Sequence, residues 1–356
     1  MIHHFYAMRM IYKTAQICKE ACVNNLSAKP ASPFVRFLLL FLLVTTAALA
    51  KNADALDRVR IGLTTKDFGY LPIFVGIRAG YFAEEGLDPQ WIVVRSNVTT
   101  SALIAGELDV AASAGSAMRT AARGADLKAI FFPYQRCTFV LMGAPNIKTV
   151  QDLKGKVIGN NAPGSTTELA AKMVLEHHGL NPQKDVKFFL AGGAETSVLA
   201  MQQGLIQARP LNPDAAFLLK KKGFNVLAVL ADVGPWPWGG YATSGAKLTQ
   251  ERDKIKRWVR AMVKSVLHMA NRREDTIRIA LLEFNHPRDV VEEALNVSLK
   301  AIDRTNPGGA SQESLRKNIE QTVAEPLNLK EPPPISKLVD FSLLNEAQQE
   351  LGVKSK

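Results

Sequence analysis

The chain has 356 residues, of which 47% are hydrophobic and 22% are charged, and its formal net charge is +11 at pH 7. This composition agrees with a soluble protein of two lobes, and the surplus of positive charge suits an anionic ligand or an anionic membrane surface. The basic clusters at 220–222 and 272–273 are short and isolated, which excludes an extended nucleic-acid footprint.

The N-terminal segment has the pattern of a signal peptide. Arg36 precedes an apolar run from Phe37 to Val44, and small residues follow this run up to Ala50. The run is shorter than the roughly 20 apolar residues that a helix needs to span a bilayer. We expect residues 1–50 to be removed after Ala50 or, as the alternative, after Ala55. The removed segment holds five basic residues and one acidic residue, which leaves a formal charge of +7.

Cysteine usage favours export without a lipid anchor. Cys18 and Cys22 lie in the segment to be removed, so the mature chain keeps only Cys137 and forms no internal disulfide. A lipoprotein would need a cysteine directly after the apolar run, and none is present there. The stretch before the run is long for a basic leader, which favours a translation start later than Met1. The simplest interpretation is a free periplasmic protein of a bacterium with two membranes.

The first half of the mature chain predicts alternating strands and helices. Strands are predicted at 57–63, 88–94, 108–113 and 127–132, and helices at 72–84, 97–105 and 115–124. This alternation predicts a mainly parallel sheet with helices on both faces.

The second half repeats the plan and then becomes helical. Strands are predicted at 156–160, 185–190, 205–209 and 224–230, with connecting strands at 138–143 and 241–243. From 247 to 351 the apolar residues follow a helical spacing. Two crossings between the lobes, near 138–143 and 235–244, predict a hinge.

An internal repeat supports two half-alike lobes. The stretch from Ala102 to Val110 matches the stretch from Ala200 to Ala208 at a constant offset, with Gly106 on Gly204 as the helix stop. A turn follows each repeat, and each turn therefore lies beyond the carboxyl end of a strand. Ligands of open α/β sheets bind at this edge.

Helix starts near these strand ends are candidate binding positions. The first amides of a helix have no internal partner and carry the positive end of the helix dipole, so they favour an anion. Two such starts are predicted in the first lobe and one in the second, and two further contacts are predicted near the hinge. The candidate ligand contacts are Asp67, Phe68, Tyr70, Ser113, Gly115, Ser116, Arg136, Gly164, Ser165, Thr166, Thr167, Asn212, Asp214 and Trp236.

Each candidate has a structural alternative. Ser165 and Glu168 have the spacing of a capping box, in which the two side chains satisfy helix amides without a ligand. Asp67 could be an ordinary N-cap, and Arg136 could be a surface residue instead of an anion-binding guanidinium. Trp236 could stack on an aromatic ligand or pack the hinge.

The chain resembles the type II periplasmic binding proteins that supply ATP-driven importers. The resemblance covers about 57–330 and rests on the words GYFAEEGL, ALIAGELDVA, VQDLKGKVIG, PGSTT and LNPDAA. Within that fold, the sequence is similar to the class that binds nitrate, sulfonates, taurine and thiamine-precursor pyrimidines. One departure is Gln207, where the class has an aspartate that we expect to cap or orient a neighbouring loop.

The resemblance implies an α/β fold of two lobes, each a mainly parallel sheet with helices on both faces. Lobe 1 would comprise 57–138 and 240–351, and lobe 2 would comprise 139–239. It further implies a monomer without a cofactor that captures a small anionic or aromatic molecule between the lobes. Its protein partners would be the permease and ATPase subunits of an ABC importer.

Signs of catalysis are few in the sequence. No metal-ligand spacing, P-loop, dinucleotide fingerprint or Gly-x-Ser-x-Gly motif is present, so we expect a non-enzyme and no metal. One alternative is an enzyme of the same fold that resembles thiamine-pyrimidine synthases. That class depends on a cysteine-rich motif, which Cys137 alone cannot supply. Another alternative is a ligand-sensing partner of a membrane receptor.

Overall fold

The computed structural model describes residues 56–161 and 164–353, without the side chains of residues 96, 97, 194 and 195. The predicted signal segment 1–50 and the alternative cleavage position Ala55 lie outside the described residues. The described residues belong to one compact unit. None of their helices is both long enough and apolar enough to cross a membrane.

The first sheet has the mainly parallel arrangement that the sequence predicts. Its strands are β1 (Asp57–Leu63), β2 (Leu87–Val93), β3 (Val110–Ala111) and β4 (Leu127–Phe131), joined by β10 (Tyr241–Ser244) from much later in the chain. The order is β2-β1-β3-β10-β4. Only β10 runs antiparallel to its neighbours, so it is the strand that returns from the second crossing.

The second sheet repeats this plan. Its strands are β5 (Val140–Gly143), β6 (Val157–Asn160), β7 (Lys187–Leu190), β8 (Ala208–Leu211) and β9 (Asn225–Val229), in the order β7-β6-β8-β5-β9. Here β5, which follows the first crossing, is the antiparallel strand. Each sheet therefore contains one strand delivered by a crossing between the two halves, which confirms the two-lobed fold.

Helices cover both faces of each sheet. Those of the two repeats are α1 (Leu71–Arg78), α2 (Tyr81–Glu84), α3 (Ser96–Ile104), α4 (Ala114–Ala122), α5 (Thr166–His177), α6 (Ala194–Gln202), α7 (Pro213–Lys220) and α8 (Leu230–Val233). The C-terminal ones are α9 (Gly245–Gln250), α10 (Arg252–Asn271), α11 (Arg273–Phe284), α12 (Arg288–Ala301), α13 (Gln312–Ile319), α14 (Ile335–Leu338) and α15 (Ser342–Glu350). Short 3-10 turns lie at Phe68–Tyr70 and Gln151–Leu153, and a π-helical stretch lies at Glu320–Ala324.

Two predicted elements differ from the observed ones near glycines. The predicted helix 72–84 is divided into α1 and α2, because Gly80 adopts a left-handed conformation with φ of 81°. The predicted strand 205–209 begins later, as β8, because the backbone NH of Leu205 still bonds to the carbonyl of Ala200 at 2.9 Å. Both differences are local and leave the order of elements unchanged.

The C-terminal helices are shared between the two sheets. Buried residues of α10, including Trp258 and Met262, belong to the core of the first sheet. Helix α12 instead packs on α7 beside the second sheet, with Lys220–Glu293 and Lys221–Asp289 ion pairs of 2.6 Å at their rim. The sequence assigns all of 240–351 to lobe 1, whereas α12 has most of its contacts with a helix of the second half, so the lobe boundary stays a prediction there. The apolar face of a helix predicts burial, but it does not indicate which sheet covers it.

Candidate binding site between the two sheets

The turns that follow β1 and β8 meet across the space between the two sheets. The side-chain amide of Asn212 donates to the Asp67 carboxylate at 2.6 Å. The backbone NH of Phe68 donates to the carboxylate of Asp214 at 3.3 Å. The structure thus brings together four of the predicted contacts. Asp67 and Phe68 come from the first half of the chain, and Asn212 and Asp214 come from the second.

Asp67 occupies this position because it begins the 3-10 turn. Its backbone is extended, and its carboxylate accepts from the NH of Gly69 at 2.9 Å, so it is an N-cap as the alternative interpretation predicted. Burial raises the pKa of Asp67 to about 7, and repulsion from Asp214 adds to the shift. Hydrogen bonds from Gly69 and Asn212 act in the opposite direction without overcoming it.

Three tyrosines lie near enough to this aspartate to be affected by its charge. Tyr70 pairs its hydroxyl with that of Thr64, whereas the buried hydroxyl of Tyr241 has no partner in the described part of the chain. The hydroxyl of Tyr134 lies near Ser298 but outside ordinary hydrogen-bond geometry. Burial raises the pKa of all three, and Tyr241 is raised further by its proximity to Tyr70, Tyr134 and Asp67.

Two further buried polar atoms at this position lack partners among the described residues. They are one side-chain oxygen each of Asn212 and Asp214. The other oxygen of Asp214 lies 3.3 Å from Nε2 of His286. Buried polar groups are almost always hydrogen-bonded, so these atoms indicate a place for a ligand or ordered water.

The charge at this position differs from the expectation of an anionic ligand. Asp214 lies close enough to Asp67 to raise the pKa of Asp67. The same carboxylates would therefore repel an anionic ligand. The unsatisfied atoms at Asn212 and Asp214 are both side-chain oxygens, which accept hydrogen bonds. A neutral or cationic group that donates hydrogen bonds fits this half of the site better.

The predicted contacts at the start of α4 already have hydrogen-bond partners within the protein. The hydroxyl of Ser113 accepts from Thr99 at 3.0 Å, and that of Ser116 accepts from Arg119 at 3.2 Å. The backbone NH of Ala114, just before Gly115, donates to the carbonyl of Gly240 at 3.0 Å. These bonds stabilise the turn into α4 and tie it to the second crossing.

The start of α5 is closed by its own side chains. The Glu168 carboxylate accepts from the NH of Gly164 at 3.3 Å, one residue earlier than the predicted capping box requires. The hydroxyls of Ser165 and Thr167 lie 3.0 Å apart, and Thr167 accepts from the NH of Asn161 at 3.0 Å. Thr166, the first residue of α5, is half-buried beside this network.

The two hinge candidates pack the crossings. Arg136 donates from Nη1 to the carbonyl of Ala231 at 3.0 Å. Trp236 is 1% exposed and stacks on Trp238 with ring centroids 6.0 Å apart. Its backbone NH donates to the carbonyl of Gln135 at 2.9 Å. These contacts favour the hinge-packing interpretation of Trp236, whereas Arg136 is half-buried against α8 and is not the exposed surface residue of its alternative.

Sequence reasoning missed four residues that the structure singles out. Tyr134 and Tyr241 flank the two crossings, so their position in the chain was an available signal. His286 follows α11 and carried no signal, because nothing local indicates that it meets Asp214. Arg209 is 2% exposed in β8, and a lone arginine within an apolar strand could have been noticed.

Groups for metal or thiol chemistry are not assembled in the described part of the chain. No group of three or more His, Cys, Asp or Glu side chains there could hold a metal ion. Cys137 is fully buried, and burial raises the pKa of its thiol.

A known protein family matches the part of the chain that holds most of the candidate site. Residues 67–276 match the family described as "NMT1/THI5 like", which is more than half of the 356 residues. The chain belongs to the NMT1/THI5-like family. Within this NMT1/THI5-like chain the matched range begins at Asp67 and includes Asn212, Asp214 and Tyr241, whereas His286 lies outside it.

Known relatives share the fold at low sequence identity. The chain is 24% identical over 269 residues to YtlA of Bacillus subtilis (strain 168), a proposed binding protein by name, covering 72% of this chain and 79% of YtlA. It is similar to the periplasmic aliphatic sulphonate binding protein SsuA of Escherichia coli, with a TM-score of 0.64 and 18% identity over 80% of this chain and 92% of SsuA. It is also similar to the desulfurization enzyme DSZB, with a TM-score of 0.59 and 11% identity over 83% of this chain and 99% of that enzyme. The structural likenesses establish the periplasmic binding protein fold.

Proposed function

We propose that this protein is an exported solute-binding protein that captures a small molecule between its two sheets and delivers it to an ABC importer. The observation that carries the proposal is the meeting of Asp67 with Asn212, and of Phe68 with Asp214, across the two halves. Its support also includes membership of the family and the likeness to SsuA, which is itself a periplasmic binding protein.

The ligand that fits best presents hydrogen-bond donors to the turns after β1 and β8. The unsatisfied oxygens of Asn212 and Asp214 would accept from an amino or ring nitrogen. Among the expected ligand classes, a pyrimidine therefore fits this half of the site better than nitrate, a sulfonate or a carboxylate. An anionic group of the same molecule would have to lie elsewhere in the site.

The available interactions are sufficient for tight capture without catalysis. Micromolar affinity corresponds to about 8 kcal/mol. Hydrogen bonds to charged groups contribute roughly 1.5–3 kcal/mol each, so three or four would reach this value before the entropic costs of binding are subtracted.

The arrangement also suggests how capture would be signalled. Because a ligand contacts Asp67 and Asn212 together only when the two turns are close, it would favour the closed form by its differential affinity. The two crossings, which lead into β5 and β10, would act as the hinge. The predicted lobes, with α12 reassigned to lobe 2, would then move as the two bodies.

Localisation and partners follow from the same proposal. The predicted signal peptide would direct the chain to the periplasm, where the closed form would dock as a monomer on the permease subunits of the importer. N-terminal sequencing of the exported protein would identify the cleavage position, with Ala50 as the expected last residue removed.

A thermal-shift screen of the exported protein would test the ligand class. The screen would compare aminopyrimidines and other amines with sulfonates, nitrate and aromatic carboxylates, because a ligand that binds only the folded state raises Tm. We expect hits among the nitrogen donors. Asp67→Asn and Asn212→Ala should each weaken a hit, whereas the exposed Asp232→Asn should not.

Equal affinity in wild type, Asp67→Asn and Asn212→Ala would show that the site lies elsewhere. Uptake of a labelled hit by cells with and without the gene would then test delivery. Unchanged uptake in cells without the gene would contradict the importer role.

The likeness to DSZB, a desulfurization enzyme, favours one alternative, in which the protein is an enzyme that converts the molecule it binds. A hit that is chemically converted by the purified protein would support it. Cys137 is a poor nucleophile for such a reaction, because burial raises its pKa and favours the thiol over the thiolate.

A further inference from the structure

The segment after α12 leads from helices of the second half back to the first sheet. Asp289, near the start of α12, pairs with Lys221 of α7 at 2.6 Å. Lys300, near its end, pairs with Asp232 of α8 at 3.0 Å. Residues 301–309, which we call the return segment, follow these contacts. The return segment is therefore a further connection between the halves, besides the two crossings that lead into β5 and β10.

The far end of the return segment is fixed to the first half. The NH of Phe132, which directly follows β4, donates to the carbonyl of Gly308 at 2.7 Å. The side-chain amide of Gln348, in α15, donates to Oδ1 of Asn306 at 2.9 Å and to the carbonyl of Pro307 at 3.1 Å. Because α15 packs in the core of the first sheet, these bonds hold residues 306–308 on that half.

Gln135 joins the return segment to both crossings. It lies on the first crossing and is half-buried. Its backbone NH donates to the carbonyl of Ala301 at 2.8 Å, and its backbone carbonyl accepts from the NH of Trp236, on the second crossing, at 2.9 Å. Its Oε1 accepts from the NH of Asp303 at 2.7 Å, and its Nε2 donates to the carbonyl of Gly309 at 2.7 Å. One residue thus ties three chain segments together.

The side-chain amide of Gln135 is what makes this position specific. Any residue there could form the two backbone bonds, whereas only an amide can both accept from Asp303 and donate to Gly309. The same Nε2 also lies 3.1 Å from the carbonyl of Phe132, on its own crossing. The amide therefore resists movement of the return segment against the first crossing.

The angle at this hinge decides whether the binding turns meet. Asn212 bonds to Asp67 at 2.6 Å and Phe68 bonds to Asp214 at 3.3 Å, in each case across the two halves. Hydrogen bonds between N and O need distances of about 2.7–3.2 Å, so a small rotation at the hinge would break both.

We propose that Gln135 is a positioning residue that sets the angle between the two halves by tying the return segment to both crossings. The inference rests on the proposed capture of a solute between two moving halves. Gln135 acts on the binding turns through the hinge and not by contact with the solute. Without its amide the halves sample a wider range of angles, and the turns after β1 and β8 separate more often.

Distances between spin labels on the two halves would test this role without any ligand. Ser101→Cys in α3 and Gln202→Cys in α6 are exposed labelling positions, and the buried Cys137 stays unlabelled. We expect a narrow distance distribution when residue 135 is glutamine. Gln135→Met keeps the length of the side chain but removes its amide. It should shift the ratio of short to long distances toward the long ones by about tenfold, as expected for the loss of one or two hydrogen bonds.

Gln348→Met is the matched control. Its amide also bonds to the return segment, but from α15 on the first half, so its loss should lower Tm without releasing the second half. The distance distribution of Gln348→Met should therefore equal that of wild type. An unchanged distribution in Gln135→Met, or the same broadening in both variants, would overturn the proposal. A wild type that already samples the long distances of Gln135→Met would overturn it as well.

Hydrogen exchange of the wild-type protein is a second test, and it does not require a variant to fold. The NH groups of Gln135, Trp236 and Asp303 belong to one set of bonds, so they should open together. Their opening constants should agree within about threefold, as in one cooperative unit. An Asp303 NH that exchanges as fast as in an unfolded chain would contradict the proposal.

The outcomes separate this inference from the proposed function. An effect of Gln135→Met on the distances, with no organic hit in the thermal-shift screen, would support the hinge role and count against solute capture. A confirmed hit, together with equal distance distributions in wild type and Gln135→Met, would support capture and overturn the role of Gln135.

Discussion

The two sheets fix the register of equivalent strands with the same pair of hydrogen bonds but different side chains. In the first sheet, the NH of Arg60 donates to the Asp109 carboxylate at 2.7 Å, and the NH of Asp109 returns to the carbonyl of Arg60 at 2.9 Å. In the second, the NH of Val157 donates to Oε1 of Gln207 at 3.1 Å, and the NH of Gln207 returns to Val157 at 2.8 Å. The shared requirement is therefore a side-chain acceptor at this repeat position.

Charge is what differs between the two positions. Nitrogens of Lys247, Lys254 and Arg60 lie 2.7, 3.1 and 3.2 Å from the buried Asp109 carboxylate. Burial alone would raise the pKa of Asp109, but hydrogen bonds from these cations outweigh it and lower the pKa. Gln207 instead donates to the nearby carbonyl of Gly204 at 2.7 Å. A carboxylate is needed only where the C-terminal helices bring lysines to the sheet.

A second difference lies two residues further along the repeat. Ala111 fills this position in β3, whereas Arg209 fills it in β8. Both are buried, so the same place in the fold holds a methyl group in one half and a guanidinium in the other. The halves share a backbone plan, and their chemistry has diverged at single positions.

Replacing the two acceptors would test this comparison with the largest expected effect. Asp109→Ala leaves Lys247 and Lys254 with only the more exposed Glu251 as a partner, and breaking a buried ion pair costs about 3–5 kcal/mol. Gln207→Ala, the matched variant, should cost only about 1 kcal/mol for a neutral hydrogen bond. Urea unfolding would measure both, and equal losses would contradict a special role for the charge.

The pH dependence of stability would test the charge where the turns of the two halves face each other. The pKa of Asp67 is about 7 in the folded protein, against 3.8 for an aspartate in water. The stability that its proton contributes is therefore complete below pH 3.8 and is lost as the pH rises through 7. Allowing for partial exposure, wild type should lose on the order of 1–2 kcal/mol more than Asp67→Asn between pH 5 and 8. Identical pH profiles would show that Asp67 is not perturbed.

The helix stops of the repeat should behave alike, with a smaller effect. Gly106 and Gly204 have φ of 72° and 74°, and an added side chain at either meets no atom within 4 Å. Alanine at each should therefore cost about 1–2 kcal/mol through backbone strain alone. Gly115→Ala, inside α4, should instead stabilise by roughly 0.5–1 kcal/mol. Unequal losses at Gly106 and Gly204 would mean that the repeat is not equivalent at its turns.

The candidate site was predictable in part from the sequence. Strand ends and helix starts indicated Asp67, Phe68, Asn212 and Asp214, because these positions follow from local patterns. The sign of the charge there was not predictable, since it arises from the approach of Asp214 to Asp67 from the other half of the chain. Arg209 was missed because the sequence does not show that its nearest partners are neutral.

The sequence by itself determined the order of strands and helices, the repeat and its glycine stops, because these depend on side-chain spacing and on backbone freedom over a few residues. Tertiary structure alone decided that α12 packs on α7 of the second half, that two carboxylates meet between the halves, and that Arg209 is buried without a counter-charge in the described part. Those outcomes depend on contacts between residues far apart in the chain, where burial changes the cost of a charge and the choice of its partner.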